Sequence, residues 1–329
     1  MDLKTCHPDL IPEIAKKIET VLNYLELKPK ISPEEFIEKT ACKKHRYSSI
    51  CLTSNKDRVM FYALLYGIPA DKERMKTEIF IANELKKRGR ISFLPQYFDA
   101  NIGRDLTWLT REYLPANSLE SRKEIEKLAK KLSAKNILAI INSAYNLSHS
   151  FLSRLSFLKK FDIKNYLNLG SEKSISLLLK EKVLNNTEAI ELCQLLNKNE
   201  KLLEKENCYF SHGDFHIGNI ILNKEGVKII DLESAQINNF AFDIAFLFCR
   251  LWKEQKTREK IVKNYFKLLN LREKRVFPSL FRIDVFFTTY NSFLDKPFEL
   301  TKKQVKKRRR ELKKTMKNAI DSFEELIKI

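Results

Sequence analysis

The chain has 329 residues, 43% of them apolar and 31% charged, which is enough apolar material for one large or two smaller buried cores and too much for a disordered chain. Its 61 Lys and Arg against 42 Asp and Glu give a formal charge of +19, about half of it from residues 302–317, where ten basic residues stand with one Glu. No run approaches the ~18 apolar residues of a membrane span, the six cysteines form no C-x-x-C pair fit for zinc or a disulfide scaffold, and the first residues lack a secretion signal, so a cytoplasmic protein with reduced thiols and no membrane partner is expected.

Residues 11–27 have helical periodicity, and Pro33 after a Ser opens a second, short helix with Glu34 and Glu35 in its first turn. The pattern then changes to "RYSSICLTS" and "DRVMFYALLYGI", β-branched and aromatic runs around the turn "NKD", which predict an antiparallel hairpin. Pro69 and Asp71 stop the second strand and start a helix that Gly89 caps. "FLPQYFDA" and "TWLTREYL" predict two more strands, followed by Pro115. Helical periodicity fills 116–207 and returns from 241 to the end. Between these blocks lie "YFSHGDFHIGNIIL" and "VKIIDLE", the only strand-like material of the second half.

The expected architecture is α+β with two lobes: residues 1–114, a small antiparallel sheet carrying one main helix and preceded by a helical extension over 1–45, and residues 115–329, a larger helical lobe with an embedded β-hairpin. A small-molecule cleft is expected between them. In the basic C-terminal segment Leu312, Met316, Ile320, Phe323 and Ile327 recur at helical spacing. That stripe favours an amphipathic helix with a solvated charged face over a nucleic-acid patch.

Three residues stand out by type and spacing: Asp214, Asn219 five positions later, and Asp231 twelve positions after that. A hairpin with a tight Gly-containing turn would return Asp231 beside Asn219. One carboxylate and one amide oxygen are hard donors that suit Mg2+, which keeps several waters and shares phosphate oxygens, and do not suit zinc. Asp214 could then accept the proton of an attacking hydroxyl, a division of labour that belongs to phosphoryl transfer from ATP or GTP.

At these residues the sequence resembles the aminoglycoside phosphotransferase and choline kinase family, small-molecule relatives of the protein kinases. "HGDFHIGN" is similar to that family's catalytic loop and "IIDLE" to its metal-binding segment. The resemblance implies a bilobal protein-kinase-like fold, Asp214 as catalytic base, Asn219 and Asp231 as Mg2+ ligands, His212 as a prop of the loop, and Asp243 as its anchor from beneath. Upstream, "LTWLTREYLPANSL" resembles the last small-lobe strand and hinge, where backbone around Glu112, Tyr113 and Leu114 would meet the purine. "KTEIFIANEL" resembles the helix whose glutamate, here Glu78, pairs with a strand lysine. Tyr62 occupies the position of that lysine, and the small lobe has no glycine-rich phosphate loop.

The reading that follows is a Mg-dependent kinase that phosphorylates a hydroxyl of a small molecule. A neutral or anionic acceptor suits so basic a chain better than a polycation. The alternative is a kinase-like protein that binds nucleotide or another ligand with little turnover, because of Tyr62. A dinuclear metallophosphoesterase lacks the histidines it needs after His216, and a Ser-His-Asp hydrolase lacks G-x-S-x-G.

Overall fold

The computed structural model describes residues 10–40, 46–64, 69–104, 106–115, 132–164, 175–180, 184–223, 226–251, 253–294, 306–307, 310–311, 313–315 and 317. The apolar stripe expected from Leu312 to Ile327 lies outside them. The chain divides into two units, Met1–Asn117 with Lys228–Ser234, and Ser118–Val227 with Ala235–Ile329.

In the first unit, α1 (Leu10–Tyr24) buries Ala15, Ile18 and Leu22 at helical spacing. The helix α2 (Pro33–Thr40) begins where Ser32 Oγ accepts the Glu35 N–H at 3.1 Å, with Pro33 in the first helical position, where its missing N–H costs nothing. Five strands follow the order β1-β2-β3-β5-β4: β1 (Lys28–Pro29), β2 (Arg46–Leu52), β3 (Arg58–Leu64), β4 (Tyr97–Ile102) and β5 (Thr107–Glu112), every pair antiparallel. The two-residue β1 was not expected from the sequence, being too short to show a period.

Alternation along β2 and β3 sends Tyr47, Cys51, Val59, Phe61 and Ala63 to one face, where they join the α1 and α2 residues in a single apolar cluster with Trp108. Phe61 is central, with ring centroids 6.0 Å from both Tyr47 and Trp108. Met60 and Tyr62 take the opposite side of the pleat, and the register pairs them with Arg111 and Leu109 of β5. The long helix α3 (Pro69–Arg88) packs on β4, β5 and the 3-10 turn Leu232–Ser234. It ends as expected at Gly89, whose φ of +104° gives the left-handed cap and whose N–H reaches Leu85 O at 3.1 Å.

The second unit is mostly helical: Ala134–Ser148, Asn186–Glu206, Phe242–Arg250, Gln255–Leu268 and Leu271–Leu294. Asn185 and Glu188 form a capping box at one helix start. Phe248 and Phe281, with ring centroids 5.3 Å apart, lock two of the later helices together in an aromatic core that also holds Phe277 and Tyr265. Strand-like material is richer here than the sequence indicated. Besides β7 (Ile220–Asn223) and β8 (Gly226–Ile229), a two-stranded sheet whose residues Lys228 and Ile229 the division counts with the first unit, β6 (Tyr209–Ser211) pairs with an unexpected β9 (Gln236–Asn238). Three residues of mixed polarity carry no period for a reader of sequence to find.

Replacing Phe61 by Ala should cost about 3–5 kcal/mol of stability through the cavity it leaves. Leu52→Ala, at a side chain 43% exposed on the same sheet, should stay within about 0.5 kcal/mol. Denaturant unfolding of the two variants checks the contrast; equal losses would contradict the placement of the core.

Candidate active site

The loop between β6 and β7 is built from below. Asp243, in the first turn of the helix Phe242–Arg250 and only 7% exposed, accepts hydrogen bonds from Ser211 Oγ at 2.9 Å, His212 N at 2.8 Å and Gly213 N at 3.2 Å. Burial pushes its carboxyl above the ordinary value, while His212 and these donors pull toward the anion. Gly213 has φ of +78°, a conformation that favours glycine and lets consecutive N–H groups converge on one carboxylate.

Above that anchor, His212 is fully buried and accepts the Asp214 N–H on Nδ1 at 3.3 Å, and its ring meets that of buried Phe215 edge-on. Asp214, between two buried side chains, is held half-buried. Its carboxylate is lowered below the ordinary 3.8: burial pushes up, but the His216 hydrogen bond and charge, then Arg250 and His212, outweigh it. His216 Nδ1 accepts the Gly218 N–H at 2.9 Å, which leaves Nε2 to carry the ring proton, 3.5 Å from Asp214 Oδ2. Sequence reasoning favoured a packing part for His216 over direct chemistry, although the residue is the second histidine of the HGDFHIGN loop.

Asn219 closes the 3-10 turn Ile217–Asn219 and is buried. Its Nδ2 donates to Asp214 O at 3.0 Å and Oδ2 at 3.4 Å. Asp214 and Asn219 are thus brought together through one amide nitrogen.

Asp231 belongs to the first unit and has φ of +69°, unusual for a residue with a Cβ and of the kind found where a side chain must be aimed. Glu233 nearby in sequence is engaged by Arg46. Glu78 lies on the buried face of α3 among Met75, Ile79, Ala82 and Leu85, and accepts the Tyr97 hydroxyl at 3.0 Å. Burial first, then the charge of Asp231, push it up to about 7, against the pull of Arg111 and Tyr97.

Glu112 spends its N–H on Gln96 O at 2.7 Å and its carboxylate on Gln96 N at 2.9 Å and Lys228 Nζ at 3.5 Å. Tyr113 lies under the Arg58 guanidinium, and Leu114 is buried. Among the described residues no three His, Cys, Asp or Glu side chains gather as a metal cage.

Residues 170–273, which contain this loop, match the phosphotransferase enzyme family. A curated relative, a probable choline kinase 2 of Arabidopsis thaliana, is 34% identical over 86 residues, a segment that spans 25% of this chain and 25% of that protein. Among solved structures, the GDP complex of a mutant aminoglycoside 2'-phosphotransferase-IIIa superposes with a TM-score of 0.57 at 14% identity, over 84% of this chain and 90% of that one. An amicoumacin kinase in complex with AMP-PNP, Ca2+ and Ami gives 0.51 at 10%, over 94% and 96%.

Since Glu78 is raised from 4.5 to about 7, its protonated form is the one the fold prefers. The stability it contributes is complete below pH 4.5 and is lost as pH rises through 7, by about 3 kcal/mol. Glu78→Gln, which keeps an acceptor for Tyr97, should therefore gain stability relative to the wild type between pH 4.5 and 8. A wild-type-to-variant gap that does not change with pH, measured by denaturant unfolding, would show that Glu78 ionises normally.

Proposed function

For a chain with the fold of the aminoglycoside phosphotransferases and the phosphotransferase family match over residues 170–273, we propose a small-molecule kinase that moves the γ-phosphoryl group of ATP or GTP to a hydroxyl. The observation that carries this reading is the loop itself: a half-buried Asp214, held as a carboxylate by His216, with its backbone fixed by Asp243 through its neighbours and by Asn219.

In this reading Asp214 accepts the proton of the acceptor hydroxyl as its oxygen bonds to the γ-phosphorus, and the bond from that phosphorus to the β,γ-bridging oxygen breaks to release the nucleoside diphosphate. His216 and Asn219 keep the carboxylate oriented. Asn219 Oδ1 and the Asp231 carboxylate are the ligands assigned to Mg2+. When bound, that ion neutralises phosphate charge. Backbone around Glu112, Tyr113 and Leu114 is assigned to the purine, with the Glu112 side chain left to structure by its bonds to Gln96 and Lys228. The acceptor is a small hydroxyl compound, neutral or anionic in preference to polycationic given the charge of +19.

Tyr62 in the strand supports a second reading, a nucleotide-binding protein with little turnover. Binding of Mg·ATP together with slow release of ADP favours the kinase; binding with no release favours the second.

Asp214→Ala should abolish transfer to any acceptor found by screening hydroxyl metabolites and antibiotics for ADP or GDP release, and should leave Mg·nucleotide affinity within about threefold, because the base meets the acceptor and not the phosphates. Asp231→Ala should lose the Mg2+-dependent part of that affinity, read by calorimetry with and without the ion. Near-normal transfer by Asp214→Ala would refute its assignment.

A further inference from the structure

Tyr62 removes the cation that the resemblance expects on β3, yet the first unit buries another one beside it. Arg111, on the adjacent strand β5, is 7% exposed. Its Nη2 donates to Tyr62 Oη at 2.7 Å, and its guanidinium carbon lies 5.2 Å from the Tyr62 ring centroid. The register sets Arg111 opposite Met60, one pleat from Tyr62, on the sheet side away from the Phe61 core. Burial works against its charge, but Tyr62, Glu78 and Tyr97 outweigh burial, so Arg111 remains a cation.

That arrangement leaves Nη1 buried and without a hydrogen-bond partner among the described residues. A buried donor of a charged group is expensive to leave unmet, and native proteins rarely keep one without a use. Glu78 does not quench it: the carboxylate takes its hydrogen bond from Tyr97, and Arg111 acts on it by charge without a hydrogen bond between them. What remains is a planar donor fork, oriented by a tyrosine, of the kind that suits phosphate oxygens.

We propose that Arg111 is the phosphate-binding cation of the first unit, a guanidinium on β5 replacing the absent lysine on β3, with the Tyr62 hydroxyl as its tether. The inference rests on the kinase reading and deepens it. It also explains why losing the strand lysine need not mean losing the nucleotide: the charge has moved one strand over while staying close enough to act on Glu78.

The test compares, for each protein, the affinity for Mg·ATP with that for adenosine (or Mg·GTP with guanosine, whichever pair the wild type binds) by calorimetry, alongside thermal melting. Arg111→Met should lower the triphosphate-to-nucleoside affinity ratio about tenfold or more while adenosine binding stays level, since only phosphates feel the lost charge. Tyr62→Phe, which removes one hydroxyl and keeps the ring packing, should lower the ratio about threefold, and it carries the test if Arg111→Met does not fold. A folded Arg111→Met with the wild-type ratio, or Tyr62→Phe with an unchanged ratio, overturns the proposal and leaves the kinase reading intact. A wild type that binds Mg·ATP no better than adenosine overturns both.

Discussion

One buried carboxylate organises the second unit. Asp243 gathers a hydroxyl and two consecutive backbone N–H groups, and its place in the first turn of a helix adds the favourable end of the helix dipole to its negative charge. Remove it and two buried donors, Ser211 Oγ and His212 N, lose this acceptor, at about 1–3 kcal/mol each, while Gly213 N keeps Ser211 Oγ at 3.2 Å. The loop inherits this rigidity. His212 is buried with its N–H on Asp243, Gly213 turns the chain with φ of +78°, and Asp214 follows half-buried with its own N–H on His212 Nδ1. The carboxylate takes the Asn219 amide at 3.4 Å and lies 3.5 Å from His216 Nε2, while its backbone N–H and C=O are both hydrogen-bonded, so the loop holds that side chain in one orientation.

The first unit faces the opposite problem, a carboxylate where the helix pattern calls for an apolar residue. Glu78 interrupts the Met75, Ile79, Ala82 and Leu85 face of α3, and a lone buried charge there would be costly. The strands answer with Tyr97, which donates to it, and with Arg111, whose charge offsets burial without closing into an ion pair. Groups shifted by burial and by each other in this way concentrate where ligands bind. The overall charge of +19 has little bearing on this cluster, whose members interact over a few ångströms in a poorly screened interior.

The sequence made the long periodic elements legible, and physics says why. The α1 stripe, the α2 start at Ser32 and Pro33, the alternating hairpin of β2 and β3, and the Gly89 cap each carry a local signature that tertiary contacts only reinforce. In the loop, Asp214 and Asn219 could be paired from their spacing because a five-residue turn has few ways to place them. What stayed hidden depends on contacts between strands distant in sequence. The β6 to β9 pairing joins residues almost thirty positions apart, and Arg111 meets Tyr62 across 49 positions. Nothing local marks either. The one available hint was Arg111 itself, buried directly after the uncharged run Thr107 to Thr110 in a strand that ends at Glu112, which the hinge resemblance of the same stretch concealed. His216 was passed over for a related reason: its role lies in which ring nitrogen is already occupied, and that follows from the Gly218 N–H.

The claim on which the chemistry turns is that the proton of the acceptor goes to an aspartate kept ionised by its surroundings. The pH dependence of kcat/KM for phosphoryl transfer tests it most directly. Because Asp214 is lowered below 3.8, it stays deprotonated as the solution is acidified, and the rate should remain level from about pH 7 to about pH 5, with loss of one proton-accepting group only below the ordinary carboxylate range. An acid limb centred near pH 6.5, the ordinary range of an imidazole, would place the base on a histidine and contradict the assignment.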